Sequence, residues 1–206
     1  MHSKIKILSP FGPKIAKLKL TKKLVNIINK EVDRIISNKK ILKKNDYSKK
    51  VVGQVYQEIS LTKNFINKNL NNFIKKNINN YLKKTTNKTS SKIKLKNFWV
   101  VRQFSNEYNP IHYHDGDISG VGYLKIPKNL NKSKKKIKTN GTIDFINGTR
   151  MLLNNSIYNH NPKVGDIILF PNYLMHTAYP FIVDGERRSF SFNVKINKKN
   201  LGIFNE

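Results

Sequence analysis

The chain contains no cysteine. Disulfides, thiolate metal sites and cysteine nucleophiles are therefore excluded. No run of eighteen apolar residues occurs, so no membrane span is expected. The opening MHSKIKILSPFG has too short an apolar run for a secretory signal. These absences read as a cytoplasmic protein, or one of the host cytoplasm if the gene is viral. Acidic residues are scarce: 12 stand against 40 Lys and Arg, for a net charge of +28. Arginine is scarce in turn, limited to Arg34, Arg102, Arg150, Arg187 and Arg188. A surface shaped to read phosphates or bases uses more arginine, because the guanidinium fork matches phosphate and guanine. Abundant Lys, Asn and Ile together are what AT-rich coding produces. The charge is therefore read as coding bias, although it must attract polyanions at low salt whatever its origin.

The 206 residues suit one domain with an N-terminal elaboration. Residues 3–20 read as extended, with a turn region through Pro13. Thr21 is a plausible N-cap, and Leu24, Val25, Ile28, Val32, Ile35 and Ile36 follow at helical spacing. Residues 38–50 are polar and read as a loop. Thr62 opens a second helix with Phe65, Ile66, Leu70, Phe73, Ile74, Ile78, Tyr81 and Leu82 on one face. Both stripes are expected to pack on a sheet, since the opposite faces are Lys and Asn. Residues 85–92 have linker composition. After residue 93 the period changes to two: IKLKNFWVVRQF, GVGYLKI, TIDFI, GDIILFP and RRSFSFNVKI all read as strands. Trp99 and Phe104 read as core. The fold class is α+β, with a barrel or sandwich in residues 93–206 and a support region in residues 1–92.

Within 109–127, NPIHYHDGDISGVGYLKIP, two of the five histidines stand one residue apart. On extended backbone His112 and His114 point to one face. Alone, such a pair is more often an ordinary polar strand end. His176 alters the reading, because a third imidazole from another strand could complete one face of an octahedral metal. Facial sites of this kind usually combine two histidines with one carboxylate and hold non-haem Fe(II). Asp115 and Asp117 stand close enough in sequence to supply a carboxylate, although Asp115-Gly116-Asp117 also reads as a solvated turn. Ten residues after His176 intervene before Arg187, and Ser189 shares its strand face. An arginine directed into a barrel requires an anionic partner. His160, in NHNP, reads as a loop residue, and Arg102 or Gln103 as a candidate for the pocket wall.

Together these pieces resemble the H-x-(D/E)…H-x10-R-x-S signature of the 2-oxoglutarate- and Fe(II)-dependent oxygenases. The pattern is similar in particular to a prolyl-hydroxylase-like family of marine bacteria and phages, with H-x-H, S-G-V-Y-Y-L, F-P-S-x-L-x-H and R-x-S-x-S-F-N. The matching stretches are His112-Tyr113-His114, Ser119 to Leu124, Phe170 to His176 and Arg187 to Asn193. The resemblance covers roughly residues 98–196. It implies a double-stranded β-helix, or jelly roll, with buttressing helices. It implies Fe(2+) held by His112, His114 and His176, with His114 preferred over Asp115 or Asp117. It also implies 2-oxoglutarate as cosubstrate, its far carboxylate meeting Arg187, Ser189 and the Tyr123 phenol. The activity implied is a dioxygenase that takes 2-oxoglutarate and O2, hydroxylates an unidentified prime substrate, and releases succinate and CO2. Gly122 departs from the pattern, which has tyrosine there, and is expected to alter pocket shape. The alternative is a basic nucleic-acid-binding protein on the same scaffold, with a degenerate metal site and residues 128–138 as its working surface.

Overall fold

The computed structural model describes residues 5–8, 12–131 and 135–198. In chain order the elements begin with β1 (Lys6–Leu8), β2 (Ile15–Lys19), α1 (Lys22–Ile36), α2 (Lys39–Asn45), β3 (Gln57–Ser60), α3 (Lys63–Asn69) and α4 (Asn71–Thr86). The second half is β4 (Ile93–Gln103), β5 (Asn109–His112), β6 (Ile118–Lys125), β7 (Ile143–Ile146), β8 (Ile157–His160), β9 (Asp166–Pro171), β10 (Met175–Ala178) and β11 (Arg187–Ile196). A seven-stranded sheet runs β1-β2-β9-β6-β11-β4-β3, and a four-stranded sheet runs β5-β10-β7-β8. Every pairing is antiparallel. The result is α+β, as expected. Lys134 and the Pro10 turn lie outside the described residues.

Both expected N-caps form. The hydroxyl of Thr21 accepts from Leu24 N, and that of Thr62 from Phe65 N. Three expectations change. Residues 38–50 are not simply a loop, because the Asn38 side chain accepts from Lys40 N and Ile41 N and starts α2. The second helix breaks at Leu70 into α3 and α4, and α4 extends through Thr86 into the expected linker. Asn87 then closes it with φ of 57°, a left-handed cap.

The large sheet is apolar on both faces. Its outer face carries Phe98, Val100, Leu124, Leu169, Phe190 and Phe192, and α1 and α4 cover it with Ile28, Val32, Ile35, Ile74 and Ile78. Each such side chain, fully buried, contributes about 1.5–3 kcal/mol before the entropy of ordering is subtracted. The inner face meets the small sheet through Val121, Tyr123, Phe145, Ile168 and Phe170. Alternation along β11 thus sends Phe190, Phe192 and Val194 outward and leaves Ser189, Ser191 and Asn193 for the barrel interior. Arg188 is fully buried between β11 and α1. It pairs in bidentate fashion with Glu186, at 2.7 and 3.0 Å, and meets Asp33 at 2.8 Å. No helix among the described residues is long and apolar enough to cross a membrane.

Candidate active site

Two paired strands, β5 and β10, bring three histidines together. β5 ends at His112, His114 follows it, and His176 sits on β10 directly opposite His112 in register. Tyr113, between the first two, points to solvent, so the expected alternation holds. Ring centroids are 5.2 Å apart for His112 and His114, 4.3 Å for His112 and His176, and 4.7 Å for His114 and His176. One nitrogen from each lies within 4.8 Å of the others. The Nδ1 atoms of His112 and His176 are directed at the carbonyls of Pro110, 2.7 Å away, and Leu174, 2.9 Å away. A proton on Nδ1 that bonds these carbonyls leaves Nε2 as a free lone pair, the arrangement that orients metal-ligating imidazoles. His114 buries Nδ1 with no hydrogen-bond partner. Burial lowers the pKa of all three rings, to about 3 for His114, where His112 adds repulsion. The rings are neutral imidazoles, the form a metal takes up.

Deeper in the barrel stands a set of unsatisfied donors. Arg187 is 2% exposed, and Tyr123 is fully buried. Arg187 Nε has no hydrogen-bond partner, and the Tyr123 hydroxyl has none either. The guanidinium carbon lies 5.2 Å from the centroid of the Tyr123 ring, and Nη1 donates to Gln103 Oε1. Burying an arginine with an idle N–H beside an idle phenol is costly unless an acceptor serves both. The chemistry fits a carboxylate. Ser189, His112, His176 and Arg187 line one narrow cavity of about 20 Å³.

Residues 97–193 match the family profile described as "Putative 2OG-Fe(II) oxygenase". That match spans the barrel core, just under half of the chain. Solved structures similar to the chain include a prolyl-4-hydroxylase from Pseudomonas putida, at 12% identity and TM-score 0.60, covering 89% of this chain and 92% of that one. A viral collagen prolyl hydroxylase from Paramecium Bursaria Chlorella virus-1, solved as a 2-oxoglutarate complex, is 16% identical with TM-score 0.56, covering 89% and 96%. HygX from Streptomyces hygroscopicus, solved with nickel, 2-oxoglutarate and hygromycin B bound, is 10% identical with TM-score 0.60, covering 91% and 84%. At such identities the likeness is one of fold, the double-stranded β-helix. No curated protein matches the chain in sequence.

Around the three histidines, neighbouring groups divide into those that face the site and those engaged elsewhere. Asp115 is exposed and bonds Lys96. Asp117 accepts from Ile196 N at 2.9 Å and pairs with Lys198 at 2.7 Å. Arg102 turns outward to Glu186 and Gln57, whereas Gln103 turns inward to Arg187. Trp99 is buried as expected but also forms a wall, its ring 5.4 Å from that of His114. His160 is a correction. It is buried at the end of β8, its Nε2 3.3 Å from Asp166 and its ring 5.9 Å from Tyr123. Gly122 is another. Its missing side chain faces the outer core, where a Cβ would overlap the Phe190 ring, so it shapes the sheet and not the pocket. A larger cavity of about 280 Å³ opens outside the histidines, lined by Tyr47, Glu58, Trp99, Asn109, His112 and His114 among others. Glu58 and Asn109 had no sequence signal beyond the short strand-like runs that carry them.

Proposed function

We propose that the oxygenase is a dioxygenase in which His112, His114 and His176 hold Fe(2+) and Arg187, Tyr123 and Ser189 receive the far carboxylate of 2-oxoglutarate. One observation carries the reading: three neutral imidazoles, two buried and one half-buried, converge beside a buried arginine and phenol that both lack an acceptor. When bound, iron and 2-oxoglutarate supply the oxidising chemistry, in which O2 is consumed, succinate and CO2 leave and a substrate C–H bond is hydroxylated. The chain's own part is placement. The Pro110 and Leu174 carbonyls fix the rings of His112 and His176. Arg187 and Tyr123 offer two donors to one carboxylate and so set its orientation. Trp99 and Phe170 crowd the His114 ring and hold its orientation. The carboxylates of Asp115 and Asp117 are engaged by lysines, which favours His114 over either as third ligand. Residues 1–92 serve as support for the catalytic core in 93–206, and the prime substrate enters by the outer cavity.

The test is succinate formation with Fe(II), 2-oxoglutarate and O2. Prime-substrate-independent turnover in the parent protein should fall to background in His176→Ala. Equal turnover in the two proteins would sink the assignment. Arg187→Ala should weaken 2-oxoglutarate about tenfold or more, as loss of a charge-assisted pair does, with metal affinity little changed. If metal is lost as severely as cosubstrate, the division of roles is wrong.

A further inference from the structure

The outer cavity holds two acceptor oxygens with nothing to accept. Glu58 is 2% exposed, yet its Oε2 has no hydrogen-bond partner. Asn109 Oδ1 is likewise buried and unserved. Both residues line the cavity that His112 and His114 share. Their placement is built into the sheets. Glu58 lies opposite Val101 on β4, which lies opposite Ser189 on β11, so its side chain falls on the inner face in the row that leads to the cosubstrate residues. Asn109 opens β5, the strand that ends at His112. Gly53 lies against both side chains, and a Cβ there would strike Asn109 Oδ1 and Glu58 Oε1, the other oxygen of that carboxylate.

We propose that Glu58 and Asn109 select the prime substrate, and that the group they receive is a cationic nitrogen, an alkylammonium or a guanidinium. This rests on the reading that the outer cavity is where substrate meets the metal-binding histidines. An amide oxygen cannot donate, so the ligand must bring the N–H. The walls suit a cation as well, because the rings of Tyr47 and Trp99 stack at 5.7 Å along the cavity. Burial and the nearby Asp46 charge push the Glu58 carboxyl up to about 8. Of the neighbouring lysines, Lys50 lines the same cavity with its ammonium over the Tyr47 ring, and Lys96 pairs with Asp115. An incoming cation displaces the Glu58 proton and forms the pair that the empty cavity lacks.

Trp99 is the only tryptophan and forms a wall of this cavity, so its fluorescence reports occupancy. The full-length protein, loaded with nickel in place of iron and with 2-oxoglutarate, is titrated with n-butylammonium, n-butylguanidinium, the neutral butyramide and the anionic butyrate. At least one cation should saturate the signal and bind at least about tenfold more tightly than butyramide, with butyrate weakest. Glu58→Gln, which keeps the shape and removes the charge, should erase that preference and leave nickel affinity unchanged. Equal binding of butyramide and the cations overturns the proposal. So does an unchanged cation affinity in Glu58→Gln, or saturation by neither cation. Nickel quenching of Trp99 in the parent, absent in His176→Ala, is read separately. Its failure would count against the metal site, whereas the cation titration repeated without metal reads Glu58 alone.

Discussion

Glu58 carries an energetic penalty that the rest of the molecule must offset. Its carboxyl is raised from the ordinary glutamate range to about 8, first by burial and then by the Asp46 charge. In the folded protein it therefore keeps its proton over a pH range in which the unfolded chain has lost it. Between the ordinary glutamate pKa and about 8 the folded state binds more protons, so stability falls as pH rises across that window and levels off above it. One group contributes a slope of at most about 1.4 kcal/mol per pH unit. Urea midpoints taken at intervals from pH 5 to pH 9 should decline in the parent more steeply than in Glu58→Gln. Parallel curves would mean that Glu58 is solvated or paired in solution. The histidines and Arg187 were legible in the sequence because spacing on extended backbone fixes shared faces, and because the H-x-H and R-x-S pieces recur together. Glu58 was not. QEIS alternates, but alternation alone does not say which face is inner until the partner strand is known. Gln103 was legible only as a candidate, for the same reason. His160 was misread because NHNP has the composition of a turn while its first residues pair with β7.

Among the elements, β6 and β11 fit each other through bare backbone. Gly120 and Gly122 on β6 leave bare backbone against which the rings of Phe192 and Phe190 lie, and a Cβ at either position would overlap its ring. The glycines lower strand propensity but permit this contact. Gly122→Ala should therefore cost about 1–3 kcal/mol, the usual range for overpacking a filled core. Phe190→Leu makes room for the added methyl, so the alanine should cost less in that background, with a coupling of about 0.5 kcal/mol or more. Chemical unfolding of the four proteins closes the cycle, and additive losses would show that the ring does not rest on Gly122. Cosubstrate affinity should be unaffected, since Gly122 faces the helices. Long elements were legible because their periodicity runs over many residues: α1, α4, β4 and β11. The short ones were not. α2 offers only Ile41 and Leu42 as apolar residues and depends on its Asn38 cap. β8 and β10 have four residues each, and their pairing with β7 is a tertiary fact. The break at Leu70 leaves the apolar stripe continuous across α3 and α4, so periodicity could not reveal it.

On the scale of the whole molecule, the support region and the barrel share one sheet and one core. β2 pairs with β9 and β3 with β4, so strands from residues 1–92 occupy both flanks of the four-stranded run β9-β6-β11-β4. The outer core joins Ile28, Val32, Ile35, Ile74 and Ile78 from the helices to Phe98, Val100, Phe190 and Phe192 from the barrel. Arg188 on β11 further bonds Asn29 and Asp33 of α1. The change of period at residue 93 was legible and marks where helices give way to strands. It does not mark a boundary of stability, because the apolar stripes and the sheet face they cover are complementary halves of one interface. Residues 93–206 expressed alone would expose that face and leave β9 and β4 as unpaired edges, which invite association with other chains. The full chain should unfold in urea in one cooperative transition, followed by Trp99 fluorescence and far-UV circular dichroism together. The 93–206 fragment should show no sigmoidal transition, should bind the apolar dye ANS, and should aggregate at micromolar concentration. A fragment that unfolds cooperatively and keeps a buried Trp99 signal would make the helices an accessory to a self-sufficient barrel.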